Sequence, residues 1–167
     1  MKNLWAPWRM TYILGEDEQA KNSGCIFCVN EEKPDRDRLI LYVGPWSMVM
    51  MNRYPYNNQH LLVAPRRHVP DLAALSVPEM TDLLQKVRLT IDIIKRQSSP
   101  HGFNVGLNLG RVAGAGVEEH MHFHIVPRWD GDTNFMTVMA DVRTIPEHLL
   151  ATYDKLLPYF QNLEDPA

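Results

Sequence analysis

Two cysteines in 167 residues are too few for a disulfide framework, which sets the chain apart from small secreted scaffolds. A reducing, cytoplasmic setting is therefore the expectation. Long apolar runs are missing too: no stretch approaches the roughly 18–20 uninterrupted apolar residues that a membrane span needs. The start, Met1-Lys2-Asn3-Leu4-Trp5-Ala6-Pro7-Trp8-Arg9, lacks the apolar run of a secretory signal. Neither sign of charge dominates. Seventeen Lys and Arg face 20 Asp and Glu, a net charge of −3, so no broad surface for nucleic acid or anionic lipid is expected. A small phosphate site, where charge is local, is compatible with that balance. Internal repeats and low-complexity tracts are absent as well. What remains is ordinary globular composition, 45% hydrophobic and 22% charged. The length suits one domain, with a core over about 25–135 and a helical extension over about 144–163.

Turn residues divide the chain. Residues 31–38, dense in charge and holding Pro34, form a surface loop in this reading. Three short apolar runs follow at 39–43, 47–51 and 60–64. Gly44-Pro45 separates the first two, and a stretch with Pro55, Asn57 and Asn58 separates the others. Such punctuation predicts a meander of antiparallel strands. Met80, Leu83, Leu84, Val87, Ile91 and Ile94 then fall on one stripe of 3.6-residue period. Ser76-Val77-Pro78-Glu79 supplies a capping box and a proline in the first turn of that helix. Thr144-Ile145-Pro146-Glu147 repeats the start signal ahead of Leu149, Leu150, Tyr153, Leu156 and Leu157, and Pro158 is expected to end or kink this second helix. Two further strands are expected at 103–109 and 122–126. The fold class is α+β: an antiparallel sheet, one long helix in its connectivity, and a C-terminal helix.

The chemistry concentrates in His120-Met121-His122-Phe123-His124-Ile125. Successive side chains of a strand point to opposite faces, so three imidazoles share one face while Met121, Phe123 and Ile125 bury on the other. Crowded imidazoles disfavour protonation of their neighbours, which keeps at least one neutral near pH 7. A polar strand face with no further role is the bland alternative. Of the chemical readings, a three-histidine metal centre suffers from reach, because residues i and i+4 of a strand lie roughly 13 Å apart. Covalent attack by the central imidazole suits the pattern better.

His120-Met121-His122-Phe123-His124-Ile125-Val126 resembles the signature of the histidine triad family at every position. Other segments extend the resemblance. Asn52-Arg53-Tyr54-Pro55 with His60-Leu61-Leu62-Val63-Ala64-Pro65 looks like the family's nucleoside-binding strand pair. Trp5-Ala6-Pro7-Trp8-Arg9, Val126-Pro127-Arg128-Trp129, and residues 104–116 with Asn108 and Ala113-Gly114-Ala115-Gly116 are similar to the diadenosine tetraphosphate phosphorylase branch. The likeness covers about residues 4–135.

The resemblance implies a mechanism and a set of roles. His122 attacks an α-phosphorus, displaces the rest of the polyphosphate and becomes a nucleotidyl-histidine, which water or inorganic phosphate then releases. His124 contacts the phosphoryl oxygens. Asn108 can donate an amide hydrogen bond to a phosphate, and the backbone of the 113–116 turn, including Ala115 and Gly116, could offer N–H groups in a nest. A plain turn is the alternative there. Gly116 and Val117 stand where some members carry Gln and Ser or Thr, so side-chain contacts from those two positions are lost. By family position Asn52 faces the ribose, against a turn-forming Asn ahead of Pro55; Met50 could wall the base, against an ordinary core Met; Trp129 could stack on a base, against a structural Trp. The family implies a homodimer or larger even oligomer built by pairing sheet edges. The runner-up enzyme readings are a dinucleoside polyphosphate hydrolase and a nucleoside phosphoramidase; a nucleotide-binding scaffold is the non-enzyme reading. Nucleotides are the expected partners, and neither nucleic acid nor membrane is.

Cys25-Ile26-Phe27-Cys28 is a lone CxxC, open to redox or metal readings. No βαβ pattern surrounds it, which weakens the redox reading. Zinc needs about four ligands. Zinc-bearing relatives, including galactose-phosphate uridylyltransferases, draw on a histidine after a Pro-x-x motif and on the first triad histidine, here His68 and His120. A structural Zn2+ held by Cys25, Cys28, His68 and His120 is the expectation, with a metal-free thiol pair as the alternative and no organic cofactor. His60, His101 and His148 receive no metal role.

Overall fold

The computed structural model describes residues 24–30, 33–132 and 147–161. Five strands form one antiparallel sheet: β1 Ile40–Val43, β2 Ser47–Met51, β3 Leu61–Pro65, β4 Gly102–Leu107 and β5 Phe123–Arg128. They lie in the order β1-β2-β3-β5-β4, so β5 inserts between β3 and β4. Two α-helices accompany them, α1 Val77–Ser98 and α2 Leu149–Gln161. The α+β reading holds.

Alternation along the strands gives the sheet two apolar faces. Leu41, Val49, Met51, Leu61, Val63 and Ile125 pack with Leu83, Val87, Ile93 and Ile94 of α1 and with Tyr153, Leu156 and Phe160 of α2. Ile40, Met48, Met50, Leu62 and Ala64 face the other way, against Phe27 and Val29. The register sets Met50 opposite Leu62, Leu62 opposite His124, and His124 opposite Gly106. A row running across the sheet on the second face therefore ends with His124 beside a residue that has no side chain.

The capping box forms as expected. Ser76 Oγ accepts from the Glu79 amide, and Glu79 accepts from the Ser76 amide at 2.7 Å. Three details depart from the sequence reading. Leu84 is 50% exposed, and Lys86 and Thr90 lie in the buried stripe instead. Leu84 sits about 100° round the helix from Leu83, outside the face that meets the sheet. Lys86 can be buried because its ammonium reaches Asp82 at 3.6 Å and lies over the Tyr42 ring. Pro158 does not end α2, which continues to Gln161; its missing N–H removes one i→i−4 bond of the helix. The strands also shift by a residue or two, so that His60 and His122 stand just outside β3 and β5. The start signal at 144–146 and the motif at 5–9 lie outside the described residues.

Among the described residues, one edge of the sheet is covered and the other has no strand beside it. Ile40 of β1 exchanges backbone bonds with Asp35 and accepts from the Tyr153 hydroxyl of α2. β4 forms the opposite edge, where Val105 is 44% exposed.

Candidate active site and metal cluster

Met121, Phe123 and Ile125 pack into the core on the helical side, as the alternation predicts. The triad imidazoles take the other face, and each has its own tie. The His122 ring lies under Phe27, with centroids 4.7 Å apart at 30°, and its Nδ1 is 3.0 Å from the His120 carbonyl. A carbonyl only accepts, so Nδ1 carries the proton and the neutral ring keeps a bare lone pair on Nε2. Burial pushes the His122 pKa down, partly opposed by that hydrogen bond.

His124 is tied to a histidine outside the triad. His60 Nε2 lies 2.9 Å from His124 Nδ1, and His60 Nδ1 accepts from the Tyr56 amide at 3.1 Å. The Tyr56 ring covers both, 4.7 Å from His60 and 5.8 Å from His124 in near-parallel stacking. Asn57 pins this loop to the end of β5, its Nδ2 donating to the Pro127 carbonyl and to Asp132. The sequence carries His60 only as the start of the second segment of the nucleoside-binding strand pair and gives Tyr56 no role. The signal available was His60 at the mouth of the strand that pairs with the triad strand.

His120 belongs to a different cluster. Its Nε2 is 2.8 Å from the Pro65 carbonyl, which makes Nε2 the protonated nitrogen and turns a bare Nδ1 toward Cys25 Sγ at 3.3 Å and Cys28 Sγ at 3.7 Å. His68 Nδ1 is 3.3 Å from Cys28 Sγ, and its Nε2 faces Glu119 at 3.8 Å. The four ligand atoms all lie within 4.8 Å of one another. Bond lengths of about 2.0–2.3 Å place tetrahedral zinc donors roughly 3.3–3.8 Å apart, so the donor set fits such an ion. The chemistry fits too: a ligating imidazole usually donates its other N–H to a carbonyl or carboxylate, as His120 does here. Burial lowers the His120 pKa, opposed by the bond to Pro65 and reinforced by His68 and His122. Burial raises the pKa of the Cys28 thiol, and a hydrogen bond with Cys25 and its charge raise it further. An open cavity of about 790 Å³, lined in part by Cys28, His68, Arg66, Arg67 and Trp46, borders the cluster and exposes it to solvent.

The remaining expected residues divide. Asn52 lies at the histidines, its Nδ2 3.3 Å from His60 Nδ1, while its Oδ1 accepts from the Tyr54 amide as a turn-forming Asn does. Met50 sits on the triad face in the small cluster with Phe27. Asn108 Nδ2 donates to the Gly114 carbonyl at 3.2 Å and so braces the glycine loop. In that loop the amides of Ala113 and Ala115 bond the Gly110 carbonyl, and that of Gly114 bonds the Arg111 carbonyl. These bonds close a 3-10 turn over Arg111–Ala113, the plain-turn alternative for this segment, and they engage the Ala115 amide within the loop. Trp129 Nε1 donates to the Ser98 carbonyl at the end of α1, a tie that a structural Trp makes.

Residues 33–131 match the HIT domain family model. The chain belongs to the HIT domain family. It is 38% identical over 157 residues to the AP-4-A phosphorylase of Mycobacterium tuberculosis, a match covering 91% of this chain and 80% of that protein. Among solved structures of HIT proteins, the histidine triad nucleotide-binding protein ST2152 from Sulfolobus tokodaii superposes with a TM-score of 0.64 at 25% identity, over 83% of this chain and 93% of the other. A Zn-bound histidine triad family protein from Mycobacterium smegmatis shares the fold, with a TM-score of 0.63 at 21% identity over 83% and 94% of the two chains. Among the described residues of this HIT domain, no helix is long and apolar enough to cross a membrane.

Proposed function

We propose that the protein is a phosphorylase of dinucleoside polyphosphates, diadenosine tetraphosphate in particular, working through a nucleotidyl intermediate on His122. The observation that carries this reading is the fixed tautomer of His122, buried and with its lone pair on Nε2. Nε2 attacks the α-phosphorus, a P–N bond forms, the bond to the bridging oxygen breaks, and ATP leaves. Inorganic phosphate then attacks the same phosphorus, the P–N bond breaks, and ADP is released with His122 restored. The Nδ1–H bond to the His120 carbonyl stabilises the positive ring of the intermediate. His124, with Nδ1 occupied by His60, presents Nε2–H to a phosphoryl or leaving oxygen. Asn52, Asn108, the 115–116 backbone at Ala115 and Gly116, and Trp129 are the further candidates for substrate contacts. Similarity to an AP-4-A phosphorylase over most of both chains supports phosphate as the acceptor.

Cys25, Cys28, His68 and His120 would hold a zinc ion whose chemistry is structural, keeping both thiols ionised and clipping the turn at 25–28 to the sheet. Free thiols of this kind suit a reducing cytoplasm. The open β4 edge supports a homodimer formed by edge pairing.

Incubation of the pure protein with diadenosine tetraphosphate, with and without phosphate, tests the reaction. ADP plus ATP, only when phosphate is present, is expected. AMP plus ATP without phosphate makes the protein a hydrolase, and no turnover overturns the catalytic reading.

A further inference from the structure

Phe27 lies between the two cysteines, in a turn closed by the Cys28 amide on the Cys25 carbonyl at 3.1 Å. Its neighbours in the turn are turned outward: Ile26 is 37% exposed and Cys28 is exposed, while Phe27 is 1% exposed. The buried ring touches both kinds of histidine. Its centroid is 5.1 Å from His120 of the cluster and 4.7 Å from His122 of the triad. His124 flanks the His122 ring at 4.9 Å. One hydrogen bond at Nδ1 leaves an imidazole free to rock about that bond; a tilted ring packed against it at 4.7 Å restricts this freedom.

We propose that Phe27 is a positioning residue for His122, and that the Cys25, Cys28, His68 and His120 cluster acts on the reaction only by holding Phe27 in place. The inference rests on the nucleophile and metal readings above. Besides the packing of Phe27 and Val29 on Met48, Met50 and Leu62, the turn's other polar ties are weak: Arg38 donates to the Ile26 carbonyl at 3.2 Å, and Arg66 to the Val29 carbonyl at 3.4 Å. With the ion bound, the turn cannot drift from His120, so Phe27 stays against His122 and Nε2 keeps its line to phosphorus. With the ion removed, the turn loosens, the Phe27 ring shifts against His122 and the nucleophile loses alignment. Alignment of this kind affects turnover rather than affinity.

The test is a cycle of four proteins: wild type and Phe27→Leu, each as purified with its metal measured, and each after chelation through the exposed side of the cluster. Phe27→Leu is expected to keep its metal and KM within about twofold and to lower kcat about ten- to a hundredfold. Chelation should lower the wild-type kcat by a similar factor and that of Phe27→Leu little further, because both act through one contact. The ring-proton NMR shifts of His122 should move in the same direction on substitution and on chelation, since each removes the Phe27 ring current. A wild-type kcat in Phe27→Leu with unmoved His122 signals overturns the proposal, as do two effects that multiply independently. Protein purified without metal refutes the metal reading alone, and the kinetics of Phe27→Leu then decide the positioning role. Protein without turnover refutes the proposed reaction, and the NMR shifts decide. Should the leucine variant not fold, Phe27→Met fills the same space without a ring.

Discussion

His60 Nε2 stands 2.9 Å from His124 Nδ1, and the Tyr56 amide holds the other nitrogen of His60 at 3.1 Å. An amide can only donate, so His60 Nδ1 is bare and the proton is on Nε2. His124 Nδ1 must then accept, which leaves His124 with its proton on Nε2. One backbone amide thus decides which nitrogen of His124 can donate to substrate. His60→Phe should keep the fold and lower kcat/KM about 10²-fold, the lower end of general acid contributions. Nitrogen-15 spectra should show the tautomers of His124 mixed in the variant. A variant with wild-type kinetics and an unchanged His124 tautomer would remove this role.

For the nucleophile the expectation is larger. His122→Ala takes away the atom that forms the covalent bond, so turnover should fall by at least about 10³-fold. Nucleotide binding by calorimetry should survive. A variant retaining more than about a tenth of the wild-type rate rejects His122 as nucleophile.

What could be read from the chain was what repeats locally. Alternation from His120 to Ile125 placed the imidazoles and the core residues on opposite faces, and Ser76 with Glu79 marked the helix start to the residue. The grouping of His68 and His120 with the cysteines came from resemblance, since spacing cannot join residues so far apart in the chain. His60 was passed over because its partnership with His124 depends on the register that sets Leu62 opposite His124. Lys86 escaped for a similar reason: its burial is permitted by Asp82, one turn earlier, and by Tyr42 across on the sheet. The internal bonds of the glycine loop and the tie of Trp129 to Ser98 are set by backbone closure and by helix–strand packing, neither of which residue type reveals.

Protein purified without chelator should contain about one zinc per chain. Cys25→Ser removes a ligand whose Sγ is 3.3 Å from His120 Nδ1. Its metal should be lost, and the melting temperature should fall by about 5 °C or more, the size expected for a couple of kcal/mol in a domain of this length. Metal-free wild type, with the variant melting alongside it, would return the cysteines to plain packing.

Glu79 offers a pH test of the helix start. Arg67 donates to both of its carboxylate oxygens and the Ser76 amide to one, which lowers its pKa to about 2. A carboxylate whose folded pKa is depressed stabilises the fold above its unfolded pKa, near 4.5, and loses that contribution as pH falls toward 2. Glu79→Gln should therefore melt below wild type at pH 7. The gap should narrow from about pH 4.5 downward and close near pH 2. A gap that is constant with pH would mean that the carboxylate's charge contributes nothing.

The edges of the sheet differ in a way that bears on assembly. β1 is closed off by Asp35 and by the Tyr153 hydroxyl, whereas β4 carries Val105, 44% exposed, along an outer edge with no strand beside it among the described residues. An unpaired strand with exposed apolar side chains recruits another strand, and in a symmetric pair that strand is the same β4 running antiparallel. Sedimentation at micromolar concentration should therefore give a species of twice the 19.3 kDa chain mass. Val105→Lys places a charge on this edge, as natural edge strands do to avoid pairing, and should shift the protein toward monomer. If the wild type sediments as a monomer, β4 is not a pairing edge. If it is a dimer that Val105→Lys leaves intact at low concentration, the contact lies on another surface, and the exposed Leu84 of α1 is the next position to charge.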